Sequence, residues 1–262
     1  MQILRTKSRN ALLVNSHDAP SDCRDNGHPH RDEGVGWIRF MFHRFFSSNK
    51  LDALGSLCAV NQKMNPPRII GIVGASGSGK TSIAKELAEL AGNASLMSQD
   101  NYYRGLPDGI DAKDWNFDDP AGIDLEHLAR DLAVLKRGET VEGPRYIFST
   151  HKRAPDTVIL KPAPLIVVEG LFLFLPESLR AVFDLKIFVD LPLASCLERR
   201  VARDVVERGR TAEMIRQRWV EQVEPMYRKY VEPTRAFADI LLVPAERGTP
   251  ERAEQIKKIL ES

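Results

Sequence analysis

The segment of this sequence with the clearest chemistry is a short run rich in glycine and serine. Residues 74–81 read Gly-Ala-Ser-Gly-Ser-Gly-Lys-Thr and match the pattern G-x-x-x-x-G-K-[ST] at every fixed position. In such a loop the glycines let backbone N–H groups curl round a phosphate, while the lysine neutralises phosphate oxygens and the hydroxyl ligates Mg²⁺. The sequence therefore predicts a site for a nucleoside triphosphate, with ATP as the expected ligand. The residues expected to contact the triphosphate are Gly74, Ala75, Ser76, Gly77, Ser78, Gly79, Lys80, Thr81 and Ser82.

A carboxylate that could complete a metal site follows a second apolar run. Residues 165–168 are Leu-Ile-Val-Val, and Glu169 comes directly after them. Open α/β sheets build their ligand sites at the carboxyl ends of the strands. We therefore expect Thr81 and Glu169 to hold Mg²⁺, Glu169 either directly or through water; the alternative is a strand-end acid in solvent.

A triphosphate loop alone does not distinguish kinases from GTPases, motor ATPases and transporters. The Asn-Lys-x-Asp match at residues 49–52 lies upstream of the loop, and the D-x-x-G match at residues 119–122 has no apolar strand leading into it. These placements argue against a switch-type GTPase.

Asp100 is the candidate that points to phosphoryl transfer. It follows a predicted strand at residues 96–98, and an unperturbed aspartate is ionised at pH 7. A hydroxyl that accepts a phosphoryl group needs a positioned proton acceptor, so Asp100 is interpreted as a catalytic base beside Lys80. The alternative is a turn or helix-capping aspartate.

An arginine-rich segment at residues 198–210 is the second feature that suggests a kinase. Arg200 and Arg203 are spaced to lie side by side on a helix, and Gly209 between Arg208 and Arg210 resembles a hinge. Such a lid can close over a triphosphate and place guanidinium groups on the transferring oxygens. We expect Arg203 to be catalytic and Arg208 and Arg210 to contact ATP; the alternative is a solvated charged helix.

The elements that must position these residues alternate between strand and helix. Apolar runs predict strands at residues 68–73, 96–98, 165–168, 185–189 and 239–243, with a weak strand at 158–160. Helical periodicity covers residues 82–91, 124–136, a long stretch from about 193, and 252–260, while residues 105–120 are predicted to form a loop. This order predicts an α/β protein with a three-layer P-loop NTPase fold, in which helices flank a parallel sheet and a helical arginine lid is added.

Composition limits the partners. The 262 residues are 43% hydrophobic and 28% charged, and the net charge of +1 does not favour nucleic acid or an anionic membrane. No apolar run is long enough to span a bilayer. Three widely spaced cysteines favour a reducing compartment, so we expect a cytoplasmic protein; a homo-oligomer is left open.

Residues 1–63 differ in pattern from the rest and show no sustained periodicity. Three interpretations compete: a disordered extension, a translation artefact in which Met64 is the natural start, and a targeting peptide. We expect one of the first two, with residues 64–262 forming the P-loop kinase domain.

Taken in order, the motifs from residue 68 to residue 243 resemble the uridine kinase (uridine–cytidine kinase) family within the wider phosphoribulokinase/uridine kinase group. The matching segments are residues 74–81, 98–103, 116–120 with Asp124, 146–151 with Arg153, 167–170, 200–204, 207–210, 230–233 and 238–240. Several spaced motifs in one order are far more specific than one phosphate loop.

The resemblance implies roles for individual residues. Asp100 falls at the family's catalytic base. Tyr103, Phe117 and Asp118 fall in the nucleoside pocket, with Asp118 on the ribose hydroxyls. The positions that grip the pyrimidine base correspond to Tyr146, Phe148 and His151. Arg200 and Arg203 fall on arginines that contact ribose and phosphate, and Arg208 and Arg210 on arginines of the lid.

The sequence departs from the family pattern at two places on the acceptor side. Asp119 stands where the family often has histidine, and Arg218 stands near a position that is often glutamine. We therefore expect transfer from ATP to a small-molecule hydroxyl, with the 5′-hydroxyl of uridine or cytidine as the first choice. The alternatives are a non-nucleoside alcohol, such as a pantothenate-like compound or a sugar, and a non-catalytic ATP-binding regulatory module.

Overall fold

The protein is described by a computed structural model, which covers residues 65–262. Its centre is a five-stranded parallel sheet, whose strands are β1 Arg68–Gly74, β2 Ala94–Ser98, β5 Leu165–Glu169, β6 Leu185–Val189 and β7 Ile240–Leu242. The strands lie in the order β2-β5-β1-β6-β7. Residues 1–63, which are predicted to be an extension, and Met64 lie outside the described residues.

The central strands are buried on both faces. Every residue of β5 is buried, and six of the seven residues of β1 are buried. Continuous apolar runs of this kind suit a parallel sheet covered by helices on both sides. Alternate β1 residues serve two cores, because Ile69 and Val73 pack in one cluster while Ile70 and Ile72 pack in the other.

Helices complete the two outer layers. Leu128, Leu132 and Leu135, spaced along one stripe of the helix Leu125–Lys136, pack into the cluster that contains Ile69. The opposite cluster receives apolar residues of the helices Lys80–Ala91 and Pro250–Glu261. The helices are α1 Lys80–Ala91, α2 Leu125–Lys136, α3 Glu177–Arg180, α4 Leu193–Arg208, α5 Ala212–Arg218, α6 Glu224–Met226 and α7 Pro250–Glu261. The predicted three-layer α/β fold is confirmed.

A second, two-stranded sheet differs from the expectation. β3 Val141–Ile147 and β4 Lys152–Leu160 pair antiparallel, so the weak strand predicted at residues 158–160 is the end of a hairpin outside the parallel sheet. Gly143 and Pro144 interrupt the alternation of β3, and most of β4 is exposed, which removes the apolar signal. Arg153 ties the hairpin to the loop after β2, since its side chain donates to the carbonyls of Tyr102 and Tyr103.

The helical chain after α4 contains two π-helical turns. Trp219–Val223 and Tyr227–Val231 are π-helical and flank α6. Extra residues of this type change the face to which the following side chains point, and they are frequent at functional sites. In the part of the chain described here, no helix combines the length and the apolar character needed to cross a bilayer.

Candidate active site

The loop between β1 and α1 exposes the N-terminus of α1. Gly79, the residue before the helix, has φ 98° and no side chain to cap the first turn, and no acidic side chain occupies that turn. Gly77 has φ 85°, and a Cβ there would collide with the backbone carbonyl oxygen of Cys196. Only glycine fits this close approach. The resulting helix end presents free N–H groups and a positive partial charge, which favour an anion.

Lys80 lies on this loop with its amine directed back to the backbone. Its Nζ donates to the carbonyl oxygen of Ala75 at 2.9 Å, and only 8% of the residue is exposed. Burial lowers the pKa of the amine, while the charges of Glu169 and Asp100 oppose that shift. The lysine is therefore held within the electrostatic reach of two carboxylates.

Glu169 and Asp100 are brought together by the pairing of β2 with β5. Ser98 is aligned with Glu169 in this pairing, and Ser98 Oγ donates to Glu169 Oε1 at 2.8 Å. The same Ser98 oxygen accepts the N–H of Asp100 at 3.3 Å, where a short 3-10 helix begins. Burial and then the charge of Glu169 raise the pKa of Asp100 to about 6.

Asp118 faces the phosphate loop across Arg200. Arg200 Nη1 lies 2.9 Å from Ser76 Oγ and 3.9 Å from Asp118 Oδ1. Both charged side chains are largely buried, and burial raises the pKa of Asp118 while the charge of Arg200 opposes the shift. One guanidinium thus connects the loop with the acceptor side.

Aromatic rings and one histidine form a wall that lines the same cavity as the phosphate loop. The rings of Tyr103 and Tyr146 are 5.2 Å apart, and those of Phe117 and His151 are 4.7 Å apart at 33°. Phe148 contacts Tyr146 edge-on and is 54% exposed. The hydroxyl of Tyr146 is buried and has no hydrogen-bond partner among the described residues. Flat rings with an unpaired polar atom suit a planar ligand that has hydrogen-bonding edges.

The backbone of His151 is in a conformation that side chains rarely adopt. Its φ is 53°, the one positive value among the non-glycine residues that the structure describes. The N–H of Leu106 donates to the carbonyl oxygen of His151 at 2.8 Å, which anchors the hairpin turn to the loop after β2. Burial, followed by the charges of Arg210 and Arg218, lowers the pKa of the imidazole, so His151 is neutral at pH 7.

The arginines of the predicted lid converge on Asp204, a residue for which the sequence predicts no role. Asp204 is fully buried, and its Oδ1 accepts from Arg203. Its Oδ2 lies within 3.7 Å of nitrogens of Arg200, Arg208 and Arg210. The segment joining α4 to α5 therefore has a buried anion at its centre, which no periodicity could indicate.

The phosphate loop, the carboxylates of Asp100, Asp118 and Glu169, the aromatic wall and the lid arginines border one cavity of about 410 Å³. The predicted residues that line it are Ser76, Gly77, Gly79, Lys80, Thr81, Asp100, Tyr103, Phe117, Asp118, Tyr146, Phe148, His151, Glu169, Arg200, Arg203, Arg208 and Arg210. Four predicted residues do not line it: Gly74, Ala75, Ser78 and Ser82. Ala75 and Ser78 are buried beneath the loop, and the Ser82 hydroxyl donates to Glu86.

Other residues line the cavity although the sequence predicts no role for them. Arg199 follows Glu198 at the cavity edge of α4, and Leu171 follows the strand β5. Arg218 and Gln222 come from the end of α5 and the first π-helical turn, and Arg218 Nη2 donates to the carbonyl of Lys113 at 2.7 Å. The sequence marks Arg218 as a departure from the family pattern and predicts no contact for it.

Comparison with known proteins identifies the family. The sequence model described as "Phosphoribulokinase / Uridine kinase family" matches residues 69–247. The uridine kinase of Macrococcus caseolyticus is 40% identical over 184 residues, which are 68% of this chain and 89% of that protein. The uridine kinase of Borrelia duttonii is 38% identical over 176 residues, or 67% of this chain and 85% of that protein.

A solved structure supports the fold. Phosphoribulokinase from Rhodobacter spheroides superposes with a TM-score of 0.54 at 18% identity, covering 71% of this chain and 74% of that one. At this identity the likeness concerns the fold alone. The family match and the two curated relatives together establish that this chain belongs to the phosphoribulokinase/uridine kinase family and is an ATP-dependent kinase.

Proposed function

We propose that this kinase transfers the γ-phosphoryl group of ATP to the 5′-hydroxyl of uridine or cytidine. One observation carries the proposal: the same cavity is bordered by the phosphate loop, by Asp100, and by the wall of Tyr103, Tyr146 and His151. A donor loop, a carboxylate that could act as a base and an aromatic surface for a nucleoside are therefore found in one cavity. The names of the relatives, which are uridine kinases at 38% and 40% identity, support the nucleoside as acceptor.

The donor side binds the triphosphate through the loop and the lid. The N–H groups at the start of α1 and the Lys80 amine neutralise the phosphate oxygens. Lys80 leaves the Ala75 carbonyl to do so, because a phosphate oxygen is the stronger acceptor. Arg203, Arg208 and Arg210 stabilise the charge on the transferring group, since guanidinium groups match phosphate geometry.

Mg²⁺ fits the residues at the edge of this site. Thr81 and Glu169 offer hard oxygen donors, and the raised pKa of Asp100 beside Glu169 marks a place where a cation relieves carboxylate repulsion. Among the described residues no cluster of three acidic, histidine or cysteine side chains could hold a metal by itself. The ion would therefore take phosphate oxygens and water as its other ligands, and when bound it neutralises charge on the phosphates.

Asp100 accepts the proton of the attacking hydroxyl in this proposal. Its pKa of about 6 keeps it ionised at pH 7 and still makes it a better base than an ordinary aspartate. The residue is held by its own N–H on Ser98, so its position depends on the pairing of β2 with β5.

The acceptor side recognises ribose and base. Asp118, oriented by Arg200, accepts hydrogen bonds from the ribose hydroxyls, and Tyr103 and Phe117 pack against the sugar. The base lies along Tyr146, Phe148 and the neutral His151, which supply stacking surface and polar atoms for its edge.

The two departures from the family pattern have local explanations. The Asp119 side chain accepts the N–H of Ala121 at 2.8 Å and so caps a short 3-10 turn. Arg218 joins α5 to the loop at Lys113. Both contacts support the loop that carries Phe117 and Asp118, so the replacements are compatible with a nucleoside pocket.

The experiment is an acceptor panel. ADP release is measured for the purified chain with uridine, cytidine, purine nucleosides, pantothenate, sugars and no acceptor. The proposal expects uridine or cytidine to give the highest kcat/KM. A preference for a non-nucleoside would reject the assignment of uridine or cytidine as the acceptor. Binding of ATP without acceptor-dependent turnover would favour the alternative of a non-catalytic regulatory module.

A variant pair tests the role of Asp100 within the same assay. Asp100→Asn should retain ATP binding and lose turnover by about 100-fold or more, as expected for a general base. Asp108→Asn changes an exposed aspartate of the neighbouring loop and should leave turnover unchanged. Equal turnover in the two variants would remove Asp100 from the mechanism.

A further inference from the structure

A single buried carboxylate lies among the arginines of the site. Asp204 is 0% exposed, and it belongs to the last turns of α4, one residue after Arg203 and four before Arg208. The side chain contributes nothing to the surface of the cavity. Its only neighbours of opposite charge among the described residues are arginines that do line the cavity: Arg200, Arg203, Arg208 and Arg210.

The two carboxylate oxygens are used differently. Oδ1 accepts from Arg203 Nε at 2.8 Å and lies 2.7 Å from Arg203 Nη2. Oδ2 has three guanidinium groups at 3.6–3.7 Å but no hydrogen-bond partner in the described part of the chain. Three guanidinium groups therefore lie near Oδ2 without being hydrogen-bonded to it, so each can move to form a charge-assisted hydrogen bond with a phosphate oxygen.

The backbone of the same residue holds the end of the helix. The carbonyl of Asp204 accepts the N–H of Gly209 and, at 3.3 Å, the N–H of Arg210. Gly209 has φ 61° and ends α4, so the residue fixes both the course of the chain at Arg208–Arg210 and the side chains on it. Arg208 and Arg210 are 46% and 32% exposed, whereas Arg200 is 8% exposed.

The physical need for such a group follows from like-charge repulsion. Four guanidinium groups gathered at one end of a cavity repel each other strongly when they are partly desolvated. A buried anion between them offsets the repulsion before the triphosphate arrives, and the site is then arranged in advance for a ligand of high negative charge.

We propose that Asp204 is a positioning residue, which gathers Arg200, Arg203, Arg208 and Arg210 in the unliganded enzyme and holds their guanidinium groups where the triphosphate and the transferring phosphoryl group will lie. Asp204 acts through the arginines and does not itself touch substrate. The inference rests on the proposed ATP site and is independent of the acceptor, so it survives if the acceptor is not a nucleoside.

The experiment compares Asp204→Asn with Glu207→Gln. Glu207 lies on the same helix, is exposed, and makes no ion pair with the described residues. Asp204→Asn should lower kcat by about 10- to 100-fold and raise the KM for ATP several-fold, because misplaced arginines lose their geometry on the transferring group. Glu207→Gln should keep both constants. Wild-type kcat and KM in folded Asp204→Asn would overturn the proposal and leave a structural role only.

Tryptic cleavage gives a readout that needs no acceptor. In the absence of nucleotide, Asp204→Asn should be cut after Arg208 and Arg210 faster than the wild type and Glu207→Gln, since the segment is released. Equal cutting rates in the three proteins would contradict the proposal. If no acceptor supports turnover, the rate of tryptic cleavage and the affinity for a fluorescent ATP analogue still test the proposed role of Asp204.

A second substitution guards against failure to fold. Asp204→Glu keeps the charge and displaces it by one methylene, and its melting temperature shows whether it is folded. The proposal expects folded Asp204→Glu to have a kcat between those of the wild type and Asp204→Asn. Two outcomes would reject the proposal. In the first, both variants are folded and both have the wild-type kcat. In the second, Asp204→Asn is unfolded and Asp204→Glu is fully active.

Discussion

Arg200 Nη1 donates to Ser76 Oγ at 2.9 Å, so helix α4 is hydrogen-bonded directly to the phosphate loop. The same guanidinium lies 3.9 Å from Asp118 on the acceptor side. The phosphate loop, helix α4 and the loop that carries Asp118 therefore share contacts with one side chain. We expect a ligand that displaces Ser76 or Asp118 from Arg200 to change the position of this guanidinium group and so to affect the other two elements, which suits a reaction between two bound substrates.

Lys80→Ala should nearly abolish turnover. The amine is the group that neutralises the phosphate oxygens, and loss of one such preorganised charge costs about 100- to 1000-fold in kcat. The measurement is kcat and the KM for ATP under saturating acceptor.

Lys85→Ala is the matched control for this substitution. Lys85 lies on the exposed face of the same helix, so its removal should change neither constant. A similar loss in both variants would mean that the effect comes from the helix rather than from the Lys80 amine.

The activity should fall on the acid side of pH 6. Burial and the neighbouring Glu169 raise the pKa of Asp100 to about 6, so protonation of the base increases as the pH falls through that value. Mg²⁺ bound beside Glu169 opposes this shift, so the kcat/KM for the acceptor, measured from pH 5 to pH 8, should show an acidic limb at or below pH 6 and a plateau above it.

His151 is the second group that could produce an acidic limb. Its pKa is lowered by burial, so it also gains a proton below the neutral range. The limb should remain in His151→Gln if it belongs to Asp100. Disappearance of the limb in that variant would assign it to the imidazole.

Tyr146→Phe tests whether the buried hydroxyl contacts the acceptor. The hydroxyl has no partner among the described residues, and a bound base would supply one. Its removal should raise the KM for the nucleoside by about 3- to 10-fold, the value of one hydrogen bond, and leave the KM for ATP unchanged. An unchanged nucleoside KM would show that the hydroxyl does not face the ligand.

Glu169→Gln should increase the Mg²⁺ concentration required for half-maximal activity. A carboxylate is a stronger ligand for this cation than an amide, although the amide can still bond to Ser98. Titration of activity with Mg²⁺ at fixed ATP measures the shift. Glu177→Gln, which alters an exposed residue at the start of α3, should show the wild-type requirement; the same requirement in Glu169→Gln would exclude Glu169 as a ligand.

The parallel sheet was predictable because its strands are continuous apolar runs. Leu165–Glu169 and Leu185–Val189 are almost entirely buried, and the sequence shows this directly. The hairpin was not predictable as a unit, since Gly143 and Pro144 break the pattern of one strand and the other is largely exposed. Its position depends on Arg153, whose partners are backbone carbonyls about 50 residues away.

The candidate site shows the same division. Residues in fixed motifs, such as Lys80 and Asp100, line the cavity, and their candidate roles follow from the motifs themselves. The placement of Arg218 and Gln222 on the cavity could not be predicted, because their helical segment changes to π-helical turns at Trp219 and a regular 3.6-residue repeat does not describe its faces. Asp204 ends the matching segment 200–204, but its burial could not be predicted, because it is produced by arginines that are expected from the sequence to be solvated.

The central claim is most directly tested by comparing uridine with 5′-deoxyuridine, which lacks only the acceptor hydroxyl. The account predicts that uridine stimulates ADP formation and yields uridine 5′-monophosphate, whereas 5′-deoxyuridine gives no stimulation and inhibits competitively with uridine. ADP formation that is the same with uridine, with 5′-deoxyuridine and without any acceptor would contradict it.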